Sequence, residues 1–161
     1  MSSSVQAITV ESSDGGEFKM TVAAAIQSKL LNRMIEDVSV SADCKVRVSE
    51  VNSETLKKVI EYCEKHASMA NDGASHSNAE ELEGWDTEFM KVNAGDMLFH
   101  ILMAANYLEV EGLFNLACQT VANSMKGKTP KEIRMMFNIK NDFTPEEQER
   151  LRRQNPSCSF D

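Results

Sequence analysis

The stretch from Leu98 to Phe143 most narrows what this chain can fold into. Leu98, Ile101, Leu102 and Ala105 recur at i, i+3, i+4 and i+7, the spacing of one helix face. Phe99 and Met103 fall off that stripe, so this helix is apolar nearly all round and is expected to be buried on most sides. A second helix is predicted from about Val110, carrying Leu113, Phe114, Ala117, Cys118 and Val121 on one side. Gly127 stops it, because a residue without Cβ readily enters the left-handed conformation of a helix end. Two further helix starts then repeat one device, Thr129-Pro130-Lys131-Glu132 and Thr144-Pro145-Glu146-Glu147. In each, the Thr hydroxyl can accept from a free backbone N–H and the Glu can return the bond. The proline loses only a donor that had no partner.

Composition sets the outer limits. A chain of 161 residues, 42% of them hydrophobic, can bury one good core with an extension. A net charge of −8 argues against nucleic acid, which needs clustered Lys and Arg. No apolar run approaches the ~18 residues of a membrane span, and the Ser-rich start lacks the regions of a signal peptide. A soluble intracellular protein is expected. Cys44, Cys63, Cys118 and Cys158 show no Cys-x-x-Cys spacing and read as buried free thiols rather than disulfides.

Along the chain, Ala7–Val10 and Glu17–Met20 flank Ser12-Ser13-Asp14-Gly15-Gly16, the pattern of a β-hairpin. Thr21 caps a helical turn through Ile26, and Leu30, Leu31, Met34 and Ile35 stripe the next helix. Lys45–Val48 alternates as a strand with Val46 and Val48 inward. Asn52 or Ser53 caps a helix that buries Leu56, Val59, Ile60 and Cys63 and leaves Lys57, Lys58, Glu61 and Glu64 wet. From 67 to 83 no buryable stripe remains, so that segment is expected to be a disordered, solvated loop. Trp85, Phe89 and Val92 resume an apolar face in a short helix or turn, and Asn93 is expected to cap the buried helix.

Signals of catalysis fail one by one. His66, His76 and His100 stand apart, with no His-x3-His or Cys-x-x-Cys company, so no metal site is expected. His66 lies near a helix C-terminus, and His100 beside a buried stripe reads as a structural histidine. The chain holds no GxSxG, Walker loop or GxGxxG, and no cofactor is implied. Glu146, Glu147 and Glu149 followed by Arg150, Arg152 and Arg153 complement a helix dipole rather than form an acid–base pair.

The segments SSDGGEF, KKVIEYC, WDTEFMKV, AANYLEVEGL, TVANSMKGKTPKEIR and NIKNDFTPEE resemble the S-phase kinase-associated (Skp) adaptor family, most closely its plant branch. The resemblance spans most of the chain outside 67–83. It implies an α+β BTB/POZ core, a small sheet with helices, over 1–126, then a helical extension over 127–161 that binds F-box proteins. It further implies a non-catalytic adaptor of SCF-type ubiquitin ligases in the nucleus and cytoplasm. Such an adaptor bridges F-box substrate receptors to a cullin scaffold and, through the cullin, to its RING partner. On this resemblance the F-box surface is Leu113, Phe114, Cys118, Val121, Ile133, Phe137, Ile139 and Phe143, and Asn106 and Tyr107 face the cullin.

The residues themselves leave two readings of the tail. Ile133, Met136, Phe137, Ile139, Phe143 and Leu151 either thicken the chain's own core or await a partner's helices, for which adaptable Met135 and Met136 are suited. Asn106 and Tyr107, without the resemblance, read as helix-end residues. The end of the chain, Gln154 to Asp161, lacks the Trp that the family commonly carries there. A second functional reading is a self-associating POZ scaffold acting in protein–protein interaction outside ubiquitin ligases.

Overall fold

Alternation in AITVE and EFKMT produces two strands, β1 (Ala7–Glu11) and β2 (Glu17–Thr21), paired antiparallel with Ile8 opposite Met20 and Val10 opposite Phe18. The structure, a computed structural model, describes residues 7–37, 44–71 and 76–157. β3 (Lys45–Arg47) lies parallel to β1 on its other side, giving the order β2-β1-β3. Ile8, Val10, Met20, Val46 and Val48 are all buried, so the sheet turns one apolar face to the core.

The hairpin turn is tied to the next helix by a polar knot. Asp14 Oδ1 accepts from the Ser53 backbone N–H (3.0 Å) and Oγ (2.6 Å), and the Ser12 hydroxyl donates to the same oxygen. Hydrogen bonds from Ser12 and then Ser53 hold the Asp14 carboxyl down at about 2. Gly16 keeps this knot closed, since a Cβ there would stand 2.1 Å from Ser53 Oγ.

Thr21 caps α1 (Val22–Ala25) by accepting from Ala24 N–H at 3.2 Å. Its own N–H and hydroxyl donate to Glu64, at 2.7 and 2.9 Å, so Glu64 is a tether rather than the free surface charge expected. α2 (Lys29–Asp37) buries Leu31 and Ile35, one turn apart, while Leu30 and Met34 stay half-buried. In α3 (Ser53–Asn71), Asn52 Oδ1 accepts from Thr55 N–H (2.9 Å), and Leu56, Val59, Tyr62, Cys63 and Ala67 form the buried stripe. Burial pushes the Cys63 thiol up to about 12, an inert packing group.

The loop expected at 67–83 is helical on both sides of 72–75, which lie outside the described residues. α3 continues to Asn71, and α4 runs His76–Val92. Ala79, Glu80, Glu81, Leu82 and Glu83 are good helix formers, and the helix is anchored from its other end. Trp85 stacks on Phe89 (centroids 5.0 Å, 17° between planes), and Asp86 Oδ1 meets His66 Nε2 at 2.8 Å. Packing within the last turns thus orders a segment whose first turns bury nothing.

α5 (Asp96–Leu108) buries Leu98, Ile101, Ala104, Ala105 and Leu108 against α3. It is not buried on most sides: Phe99 and Met103 are 45% and 57% exposed, because only one side of the helix meets the rest of the first unit. His100 is exposed as well, not a buried structural histidine. Asn93 does not cap α5, whose N-cap is Gly95; its side chain donates to Phe89 O at 2.7 Å and so closes α4. α6 (Glu111–Met125) follows and ends at Gly127, whose φ of 73° is the left-handed stop expected.

Two compact units divide within α6, at Gln119/Thr120, earlier than the boundary expected at 126/127. The second unit contains α7 (Pro130–Phe137) and α8 (Pro145–Gln154). Thr129 makes the full capping box, both bonds at 3.2 Å, and Thr144 accepts from Glu147 N–H at 3.2 Å. Asn138, in left-handed geometry at φ 54°, stops α7.

The Asp14 knot has a pH signature. Its carboxyl is depressed in the fold from 3.8 to about 2. Its contribution is therefore complete above pH 3.8 and is lost as pH falls through that interval. Asp14→Asn is expected to lower the melting temperature at pH 7 and to flatten the fall in melting temperature on acidification toward pH 2, both read by calorimetry.

Candidate functional site

Two exposed surfaces, one on each unit, carry the features of a docking site. On the first unit, Phe99, Met103 and Asn106 recur at i, i+4 and i+7 on α5, and all three are exposed. Tyr107 beside them is half-buried. Phe99 and Met103, one turn apart, put apolar surface beside the amide of Asn106 on one helix face. A cleft of about 250 Å³ adjoins this face, lined by Lys29, Ala105, Asn106, Glu109, Glu111 and Phe114.

The corner between α5 and α6 sets the geometry of that cleft. Val110 N–H donates to Ala105 O (3.0 Å) and Glu109 N–H to Asn106 O (3.3 Å), the two bonds of a Schellman stop. Glu109 occupies the left-handed position, φ 56° and ψ 46°, where glycine is usual. Its carboxylate takes both Arg33 Nη atoms, at 3.0 and 3.1 Å, and its carbonyl accepts from Lys29 N–H at 3.2 Å. The Arg33 hydrogen bonds hold the Glu109 carboxyl below its ordinary value and raise Arg33 in turn. The Ser28 hydroxyl donates to Leu108 O and accepts from Leu31 N–H (3.1 Å), so α2 starts on the same corner.

On the second unit, no side chain of α7 or α8 is buried. Met135, Ile139 and Phe143 are 74%, 53% and 50% exposed, whereas Ile133 and Phe137 are half-buried. A wide cleft of about 590 Å³ is lined by Lys131, Arg134, Met135, Asn138, Ile139, Asn141 and Gln148. The Asn141 side chain accepts from Phe143 N–H (3.2 Å) and Gln148 Nε2 donates to Phe143 O (3.3 Å), which shapes the turn before α8.

The residues expected to face an F-box protein are therefore spread unevenly. Leu113 has no exposed surface; it is a core residue of the first unit, and its place on a partner-facing surface is corrected on that ground. The α6 stripe that carries it turns Leu113 and Ala117 inward, leaving Phe114 half-buried. Phe114 lines the same cleft as Asn106, which was expected to face the cullin instead. Cys118 is exposed rather than buried, and Val121, in the second unit, is half-buried. Of the expected set, Ile139 alone lines the second unit's cleft. Phe99 and Met103 were missed as surface residues, although their position off the buried stripe was the available signal. Among the described residues no group of three or more His, Cys, Asp or Glu could hold a metal.

A small mixed sheet under helices, followed by a helical unit that keeps Met135, Ile139 and Phe143 exposed, defines an α+β protein-binding module of BTB/POZ type. Residues 6–68 match the model described as Skp1 family, tetramerisation domain, and residues 111–158 that of the Skp1 family, dimerisation domain. The chain is 49% identical over 162 residues to SKP1-like protein 1 of Oryza sativa subsp. japonica, covering 92% of both chains. It is 46% identical over 158 residues to SKP1-like protein 1A of Arabidopsis thaliana, covering 94% of this chain and 96% of that one. It is 43% identical over 159 residues to the E3 ubiquitin ligase complex SCF subunit sconC of Arthroderma benhamiae, covering 96% of each. The chain belongs to the Skp1 family, whose members are non-catalytic subunits.

Burial separates core from surface along α6. Leu113→Ala is expected to cost ~2–5 kcal/mol of unfolding free energy by leaving a cavity, measured by urea denaturation. A cost near zero would return Leu113 to the surface.

Proposed function

We propose that the chain is the adaptor subunit of an SCF-type ubiquitin ligase, joining F-box proteins to a cullin and, through it, to the RING subunit. The observation that carries this reading is the second unit: a helical unit in which α7 and α8 bury no side chain and Met135, Ile139 and Phe143 stay half or more exposed. Amphipathic helices of a partner would complete that surface, as helix-in-groove recognition does elsewhere. Similarity to a protein named as an SCF subunit supports the same assignment. F-box capture falls to Phe137, Ile139 and Phe143, with Ile133 and Val121 of the same unit in support.

The cullin side falls to Asn106 and Tyr107, joined by the exposed Phe99 and Met103 on the same helix. A contact of this kind buries ~800 Å² per partner, with a few aromatic anchors dominating. Residence in both nucleus and cytoplasm accompanies the role and is tested by imaging a tagged chain. No helix among the described residues is long and apolar enough to cross a membrane.

The two partners should separate by mutation. Phe137→Ala with Ile139→Ala is expected to weaken an F-box peptide ~10-fold or more in titration calorimetry while leaving a cullin N-terminal domain bound as before. Asn106→Lys should do the reverse. Equal losses for both partners would mean that these side chains serve the fold, and a chain that forms only its own dimer would overturn the adaptor role.

A further inference from the structure

A glutamate in left-handed geometry at a helix stop invites the question of what its side chain secures. The other two left-handed stops among the described helix ends use Asn138 and Gly127, residues suited to that conformation. At the α5–α6 corner the chain places Glu109 instead, and its carboxylate is gripped by both Arg33 Nη atoms at 3.0 and 3.1 Å. An unfavourable backbone conformation persists where surrounding contacts over-determine it. Here the contacts are the Arg33 fork, the Lys29 N–H on Glu109 O, and the Ser28 hydroxyl on Leu108 O.

We infer that Arg33 and Glu109 form a positioning pair that locks the α5–α6 corner onto α2 and so fixes how Asn106 and its cleft are presented to the cullin-type scaffold. This rests on the proposed cullin side. The mechanical link is short. Glu109 N–H donates to the Asn106 carbonyl, so any swing of Glu109 out of left-handed geometry unwinds the last turn that carries Asn106 and Tyr107. Asn106, Glu109 and Phe114 line one cleft together with Ala105, Lys29 and Glu111, the Lys29 Nζ lying 3.4 Å from Glu111 Oε2. A bidentate guanidinium–carboxylate pair constrains angle as well as distance, which a single Lys would not.

The pair's role is read with full-length chain, a purified cullin N-terminal domain and an F-box peptide. Glu109→Gly suits the backbone and removes the clamp, so its melting temperature should hold or rise while cullin affinity drops roughly threefold. Arg33→Ala should produce a similar drop, and the double variant should lose no more than either alone. The exchange Arg33→Glu with Glu109→Arg should regain most of the affinity, and F-box binding should stay unchanged throughout. A loss from Glu109→Gly that adds to that from Arg33→Ala, or no loss from either while Asn106→Lys still abolishes cullin binding, would overturn the positioning role. If Asn106→Lys itself leaves cullin binding intact, the failure lies with the proposed cullin side.

Discussion

The burial of one face of α3 is the constraint on which the first unit depends. Leu56, Val59 and Cys63 lie in the core formed with α1, α5 and β2, and each is almost wholly removed from water. Removing apolar area from water is the main favourable term in folding, and α3 offers its apolar face to three other elements at once. The same helix then distributes directional bonds along its length. Its start holds the hairpin through Ser53 and Asp14, its middle holds Thr21 through Glu64 and Gln27 through the Cys63 carbonyl, and its end holds α4 through His66 and Asp86. Nonspecific burial supplies the energy, and these few polar contacts fix the register of each neighbour.

The second unit is built on a different balance. Both α7 and α8 are started by Thr caps, and α7 is stopped by the left-handed Asn138, all local devices that act within a single turn. Local devices define where a helix begins and ends but remove little surface from water. A unit so held leaves Met135, Ile139 and Phe143 exposed, which suits an adaptor. The first unit supplies the rigid counterpart, an α5 face anchored from beneath by Leu98, Ile101, Ala105 and Leu108.

The candidate surfaces were legible in part. Ile139 and Phe143 were legible because apolar residues continue past Gly127, where the main core has ended, and because the resemblance placed them on the F-box surface. Leu113 misled because the resemblance carried it over with a partner surface, and its stripe does not say whether that face meets the chain's own core or another protein. Phe99 and Met103 misled in the opposite sense: an all-round apolar helix looks like a buried one. Glu109 gave no local sign at all. Its left-handed turn is secured by Arg33, 76 positions away, and by the Lys29 N–H on its carbonyl, in addition to the two backbone bonds of the stop itself.

What the sequence determined by itself was everything set by short-range chemistry. The hairpin around Asp-Gly, the Thr caps, the stop at Gly127 and the inward Val46 and Val48 at β3 and its exit each depend on residues within a turn or on strict alternation. The residues also carried the family, through segments such as AANYL and NIKNDFTPEE. Only the tertiary structure decided that 76–83 is helical, that one side of α5 stays open, that Leu113 is core, and that α2 clamps the corner beside Asn106. Each of these turns on which distant surface reaches a side chain first, and spacing along a chain holds no record of that contact.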